Sequence, residues 1–263
     1  SIILRLKPIP IFYDDSSSKS ILTWWEEKDY TEGGPMPIIK LVKEAGLKTV
    51  NFVSTNFRSF VSAYKICEKA GVELRFGLEL IIADALDKTP DSQINESKVI
   101  IWMKNTEGYK DLIKIYSAIH SNKDNKYYYY RGSWSMLKSL WTSNLILSFP
   151  WADSFIAVNR LKYKTSIVPD FSFTKEPIFF KESETDLLDE KLIDDALDNY
   201  LLSNKYDLVN TKTIYYNKKE DVKTCIVFRS IFIDKASFFD PKLENFSSDT
   251  FCFQKWKEIN DRG

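Results

Sequence analysis

Apolar residues recur at helical spacing through Pro37–Ala45 (PIIKLVKEA), and Gly46 follows them as a natural stop, so this segment predicts a helix. Thr49–Val53 is a short β-type run. A second helical period spans Phe57 to Ala70, sets Phe60, Val61, Tyr64 and Cys67 near one face, and closes at Gly71. Val72–Ala83 (VELRFGLELIIA) predicts a strand, Asp84–Ser97 a polar surface loop, Val99–Met103 another strand, and Thr106–His120 a strong helix. Upstream, Ile2–Phe12 reads as extended, interrupted by Pro8 and Pro10, and a polar turn follows at Asp14-Asp15-Ser16-Ser17-Ser18. Helix and strand alternate here in a way that predicts an α/β fold with parallel pairing.

The second half is less regular. Leu145–Leu147 and Ile178–Phe180 read as strands, Asp186–Leu202 as an amphipathic helix, Tyr206–Tyr216 as a strand and Lys218–Ile231 as a helix. The residues after Ile231 show no clear period. There is no short internal repeat and no long linker, and Tyr127–Tyr130 is the only low-complexity run. The expectation is a single domain over residues 1–263.

Composition narrows the classes. With 44% hydrophobic and 28% charged residues, the chain has the makeup of a folded globular protein. Lys+Arg and Asp+Glu both number 37, so the basic excess of a duplex-gripping protein is missing and autonomous DNA binding is expected to be weak or absent. Cys67, Cys225 and Cys252 lie far apart without a CxxC pair, which predicts buried free thiols rather than a zinc knuckle or disulfide framework. No apolar run reaches the roughly 18 residues of a membrane span, and Ser1–Arg5 lacks a signal-peptide pattern. A cytoplasmic protein with no membrane partner is expected.

Four stretches carry a family resemblance. Leu41–Ala83 (LVKEAGLKTVNFVSTNFRSFVSAYKICEKAGVELRFGLELIIA) resembles a helix ending in AxxxG, a strand, TDHxN, a helix ending in KxAG, and a strand ending in GxE. Lys98–His120 (KVIIWMKNTEGYKDLIKIYSAIH) is similar to an apolar strand followed by a GY-containing helix, with Asn105, Gly108, Tyr109, Leu112 and Ser117 on recurrent positions. Trp134–Ser148 resembles a segment ending in GLIxLSG, and Leu192–Ile231 a helix, a VATNDxHY strand with Tyr215 on its aromatic position, and a further helix. Together these resemble the PHP (polymerase and histidinol phosphatase) domain that opens the bacterial-type DNA polymerase III alpha subunit. The resemblance implies a distorted α/β barrel of about seven strands, and in active members a His, Asp, Glu and Cys cluster binding Zn, Mn or Mg for phosphoester cleavage.

Position by position, this sequence departs from that ligand set. The family's HxH falls in Ile11–Asp14, on Phe12 and Asp14; its Asp-His on Val53 and Ser54; its next histidine near Lys98; its cysteine near Pro150; and its Asp-x-His on Lys212 and Ile214. Only Glu79, after Gly77, keeps a ligand type, and the chain's one histidine, His120, lies in a helix away from all these positions. No bound metal or other cofactor is therefore expected, and the hydrolytic centre reads as lost. The alternative is a rebuilt oxygen site of Asp14, Asp15 and Glu79 holding one Mg²⁺. In the main reading the Glu79 carboxylate is balanced by Lys98 or Lys212, which predicts a nitrogen–oxygen distance of about 4 Å or less.

Other candidates read more blandly. His120 has no nucleophile motif beside it and reads as a helix-surface or capping residue, and no GxSxG, P-loop or GxGxxG occurs. Glu182, Glu184, Asp186, Asp189 and Glu190 read as a solvated loop and helix face. The run Lys123–Arg131 interleaves rings and cations, and Lys126, Tyr127, Tyr128, Tyr129, Tyr130 and Arg131 admit three readings: base stacking, a protein contact, or a loop packing its rings down. Trp24-Trp25 reads as exposed aromatics or as a lid over the old metal cup.

The resemblance implies a non-catalytic structural or protein-interaction module in DNA replication, partnered by replication proteins or by the remainder of a polymerase. Its alternatives are a residual metal-dependent phosphoesterase or 3′–5′ exonuclease, and a free-standing DNA- or replisome-binding protein. The family's domain ends about where this chain ends, so no polymerase palm is expected in it. Abundant Lys, Asn and Tyr point weakly to a phage source and a phage-infected bacterial host.

Overall fold

Short strands and capped helices alternate through the computed structural model, which describes residues 7–89, 92–93, 95–150, 153–159, 168–184, 190–225 and 249–262, with 190–194, 196 and 202 by backbone alone. Contacts group them into two compact units. One is built from Ser1–Phe76, Glu182–Leu187 and Asn210–Gly263, the other from Gly77–Lys181 and Leu188–Val209, in each case through the described residues.

In the first unit, β1 (Ile9–Phe12) lies parallel to β2 (Thr49–Ser54), with Phe12 opposite Phe52. On its other side β1 is parallel to β8 (Asp207–Ile214), with Phe12 opposite Ile214. Helix α1 (Ile38–Glu44) buries Ile38, Ile39, Leu41 and Val42. Helix α2 (Phe60–Ala70) ends at Gly71, whose φ of +69° is the left-handed cap that glycine adopts without strain. Its buried stripe is Ala63 and Cys67. Val61 and Tyr64, expected on that face, are exposed. Val61 stands about 120° round the helix from Cys67 at 100° per residue, too far to share its stripe. Phe52 anchors the core, with Trp24 at 5.3 Å and Phe76 at 5.6 Å between ring centroids.

In the second unit, β3 (Glu73–Ala83) pairs antiparallel with β4 (Ser97–Met103), and β4 antiparallel with β6 (Leu145–Phe149). This corrects the expectation of parallel pairing for these strands. The segment between β3 and β4 returns the chain directly, and a parallel neighbour would need a crossover. Parallel pairing holds for β6 with β7 (Ile178–Glu182), and for β3 with the short β5 (Gly132–Ser133). Among the described residues four helices belong here: α3 (Thr106–Ser121), α4 (Trp134–Leu140), α5 (Phe155–Val158) and α6 (Glu190–Asn204). Their core is aromatic, with Phe149 stacked on Phe179 at 5.0 Å and edge-on to Phe155 at 5.2 Å.

The strand order is β2-β1-β8-β7-β6-β4-β3-β5, and a further β2–β3 pairing closes it over seven strands with β5 appended. That is the mixed α/β barrel topology expected from the sequence. The helix expected at Lys218–Ile231 appears as a 3-10 turn at Lys219–Asp221 and a helical turn at residues 222–225, and the rest lies outside the described residues. A final helix, α7 (Phe253–Asp261), was not expected; it buries Phe253 and Trp256. All three cysteines are free and buried, and among the described residues no helix is long and apolar enough to cross a membrane.

Candidate functional site

The second unit places Glu79 on β3 opposite Ile100 of β4. Gly77, two residues before it, lets the strands close up: a Cβ there would come within 2.7 Å of Ile100 Cγ2 and 3.0 Å of the Trp102 ring. Lys98 opens β4, and its backbone N–H donates to Asp153 O at 2.7 Å. Its ammonium lies 2.7 Å from Asp153 Oδ2 and 3.9 Å from Glu79 Oε1, with all three side chains nearly buried. The expected pairing of Lys98 with Glu79 is thus present, but the shorter bond goes to Asp153, which sequence reasoning missed. The second Asp153 oxygen, Oδ1, is buried and has no hydrogen-bond partner among the described residues. Lys98 is thus shared between two carboxylates.

The first unit holds a hydroxyl-rich turn after β1. Asp14 is buried; its Oδ1 accepts from Ser16 N at 3.2 Å and Ser16 Oγ at 2.5 Å. Ser16 Oγ lies 3.0 Å from Ser54 Oγ at the end of β2, and Arg58 Nη2 donates to Ser16 O at 2.7 Å. Asp14 Oδ2 is buried without a partner among the described residues. Burial raises the Asp14 carboxyl above the usual carboxylate range against the pull of these donors. Burial, and then the neighbouring Asp14, raise Asp15 as well.

Lys212, on β8 in the same unit, is fully buried and bonded to Glu182 at 3.4 Å and to Ser183 O at 2.9 Å. Its partner is therefore Glu182. Glu182 also accepts from Thr213 N and Thr213 Oγ, each at 2.8 Å. Burial drives both groups toward their neutral forms, Glu182 upward and Lys212 downward. This corrects the reading of Glu182 as part of a solvated acidic face. Glu184 is exposed and pairs with Arg262 at 2.6 Å; Asp186 and Asp189 lie outside the described residues, and the Glu190 side chain does too.

The remaining positions that the resemblance assigns to ligands hold no carboxylate, imidazole or thiolate. Phe12, Val53 and Ile214 are fully buried hydrocarbon, and Pro150 follows β6 half-buried. Ser54 supplies a neutral hydroxyl, and Lys98 and Lys212 supply ammoniums, which repel a cation. Among the described residues no three His, Cys, Asp or Glu side chains gather in a group that could hold a metal ion. The donor set does not fit a multinuclear metal site.

The surface candidates divide. Arg131 is fully buried; it donates to Glu96 Oε2 at 2.8 Å and to Ser92 O at 2.9 Å, and lies 3.5 Å from the Tyr127 ring centroid. Tyr129 Oη donates to Glu96 Oε1 at 2.5 Å. Arg131 thus belongs to the interior and leaves the proposed binding surface, whereas Tyr128, Tyr130 and Lys126 face outward. Trp24 is likewise core, edge-on to Phe52, while Trp25 is exposed. His120 sits on the surface of α3 with Nδ1 2.9 Å from Tyr116 O, as a helix-end residue.

No curated protein sequence matches the chain. One similar solved structure is a protein of Bifidobacterium adolescentis provisionally assigned as a metal-dependent phosphoesterase. It is 6% identical, with a TM-score of 0.42 over 78% of this chain and 87% of that one. A family model for the PHP domain matches residues 31–167. That match covers more than half of the sequence, and the chain belongs to the PHP domain family.

Proposed function

We propose that this PHP-family chain is non-catalytic and serves as a structural or protein-interaction module. In this reading it is related to the domain that opens the DNA polymerase III alpha subunit, and its partners are replication proteins or the remainder of a polymerase. The observation that supports the reading is Lys98, with its ammonium 2.7 Å from Asp153 and 3.9 Å from Glu79. A divalent ion needs lone pairs directed at it. A tethered ammonium placed on those same carboxylates satisfies their charge without any ion and competes with one that arrives.

The test is hydrolysis. The purified chain is incubated with a chromogenic phosphodiester, and separately with 3′-labelled single-stranded DNA, in Mn²⁺ or Mg²⁺. No turnover above a heat-treated control is expected. Turnover that vanishes in Glu79→Ala would overturn the proposal in favour of a residual phosphoesterase. One observation favours that second reading: the buried Asp14 Oδ2 has no hydrogen-bond partner among the described residues, as an oxygen awaiting a cation would.

A further inference from the structure

The segment before β5 sorts its side chains by parity. Tyr127, Tyr129 and Arg131 turn inward or flat against the protein, and Lys126, Tyr128 and Tyr130 turn out. The inward set is tied down. Gln93 Nε2 donates to Tyr127 Oη at 2.5 Å, Tyr129 Oη to Glu96 at 2.5 Å, and Arg131 to Glu96 at 2.8 Å and to Asp87 O at 3.2 Å. Such a network fixes the backbone, so the outward rings are presented without further ordering on binding.

Those rings are open to solvent, Tyr128 at 54% and Tyr130 at 58% exposure. Lys88 Nζ lies 4.4 Å from the Tyr128 ring centroid. Tyr130 lies against the His120 ring at 4.6 Å, and His120 stacks on Tyr116 at 3.9 Å.

We propose that Tyr128, Tyr130 and the Tyr116–His120 stack form a platform for single-stranded nucleic acid, with Lys88 and Lys126 meeting its phosphates. Stacking on tyrosine is tolerant of base identity, so the site takes a short unpaired run without sequence preference. The flanking charges favour this class over a sugar, whose hydroxyls call for carboxylates and amides. Glu96 is already bonded to Arg131 and Asp84 to Asn95, leaving Asp87 and Asp124 as the acidic side chains of the described parts of the neighbouring loops. The proposal stands independently of the catalytic reading above, since none of its residues belongs to the carboxylate clusters. It agrees with the zero net charge, because base stacking on the rings contributes affinity beside the phosphate contacts of two lysines.

The experiment is fluorescence anisotropy of a labelled oligo(dT) of about twelve nucleotides titrated with the full chain. Saturable binding is expected, weaker for a duplex of the same length. Tyr128→Ala and Tyr130→Ala should each lose about tenfold, and Tyr128→Phe/Tyr130→Phe should retain binding. An unchanged melting curve for the alanine variants shows that the fold is intact. Absence of saturable binding, or alanine variants that bind like the parent, would overturn the proposal. So would self-association of the chain that the alanine variants abolish while the oligonucleotide stays unbound, which would assign the rings to a second copy.

Discussion

Lys98 reports most directly on how the carboxylate cluster is balanced. Its side chain, nearly buried, is shared by Asp153 and Glu79. Removing one partner from a buried ion pair leaves uncompensated charge, which is worse than never having had the pair. Lys98→Met keeps the aliphatic stem and deletes the ammonium, and should lower stability at neutral pH by about 3 kcal/mol in urea unfolding. A loss within the ~0.5 kcal/mol scatter of surface substitutions would contradict the ion-pair account. Asp14 offers an opposite test. Its carboxyl is raised by burial, so the folded state holds the proton longer than the unfolded one. That group's contribution is fully present below its ordinary value and is lost as pH rises through the raised one. Asp14→Asn removes the titration, so its melting temperature relative to the parent should improve as pH is raised from about 4 to about 8. A difference that stays flat, or turns the other way, would show that Asp14 is ionised at no penalty.

Helix α3 shows how far an element can be read in advance. Asn105 accepts from Gly108 N at 3.0 Å and caps the helix, and Leu112, Ile115 and Ile119 follow at helical spacing on the buried side. Gly108 carries a second demand. A Cβ there would lie 2.6 Å from Asn144 O and 3.0 Å from Met103 Cβ, so the helix start packs against the loop before β6. Gly108→Ala should destabilise by about 1–3 kcal/mol despite alanine's better helix propensity, because a backbone carbonyl must move. Stabilisation by this substitution would disprove the close approach. Elements with fewer signals were not legible. Helix α4 has seven residues and begins at Ser133, whose Oγ accepts from Met136 N at 3.1 Å, and α7 is capped by a cysteine sulfur rather than an oxygen. The antiparallel β3–β4 pairing also escaped, because a polar segment between two apolar strands does not state which way the chain returns.

At the scale of the molecule, the α/β barrel class was readable through the order of the local motifs that carry the resemblance. The buried charge pairs were not. Asp153 and Glu96 sit in segments without periodicity, Glu182 in an acidic run that looked solvated, and each is chosen by a partner distant in sequence: Lys98, Arg131 and Lys212. Pairwise burial of charge leaves no local pattern to detect. Three clusters result, in which ammoniums, a guanidinium and hydroxyls satisfy buried carboxylates. The most direct test is the metal content of the purified chain after incubation with Zn²⁺, Mn²⁺ and Fe²⁺ and exhaustive dialysis, paired with its melting temperature with and without EDTA. The account predicts no stoichiometric metal and superimposable melting curves. One equivalent of any of these ions retained per chain, with a melting temperature that falls on chelation, would contradict it.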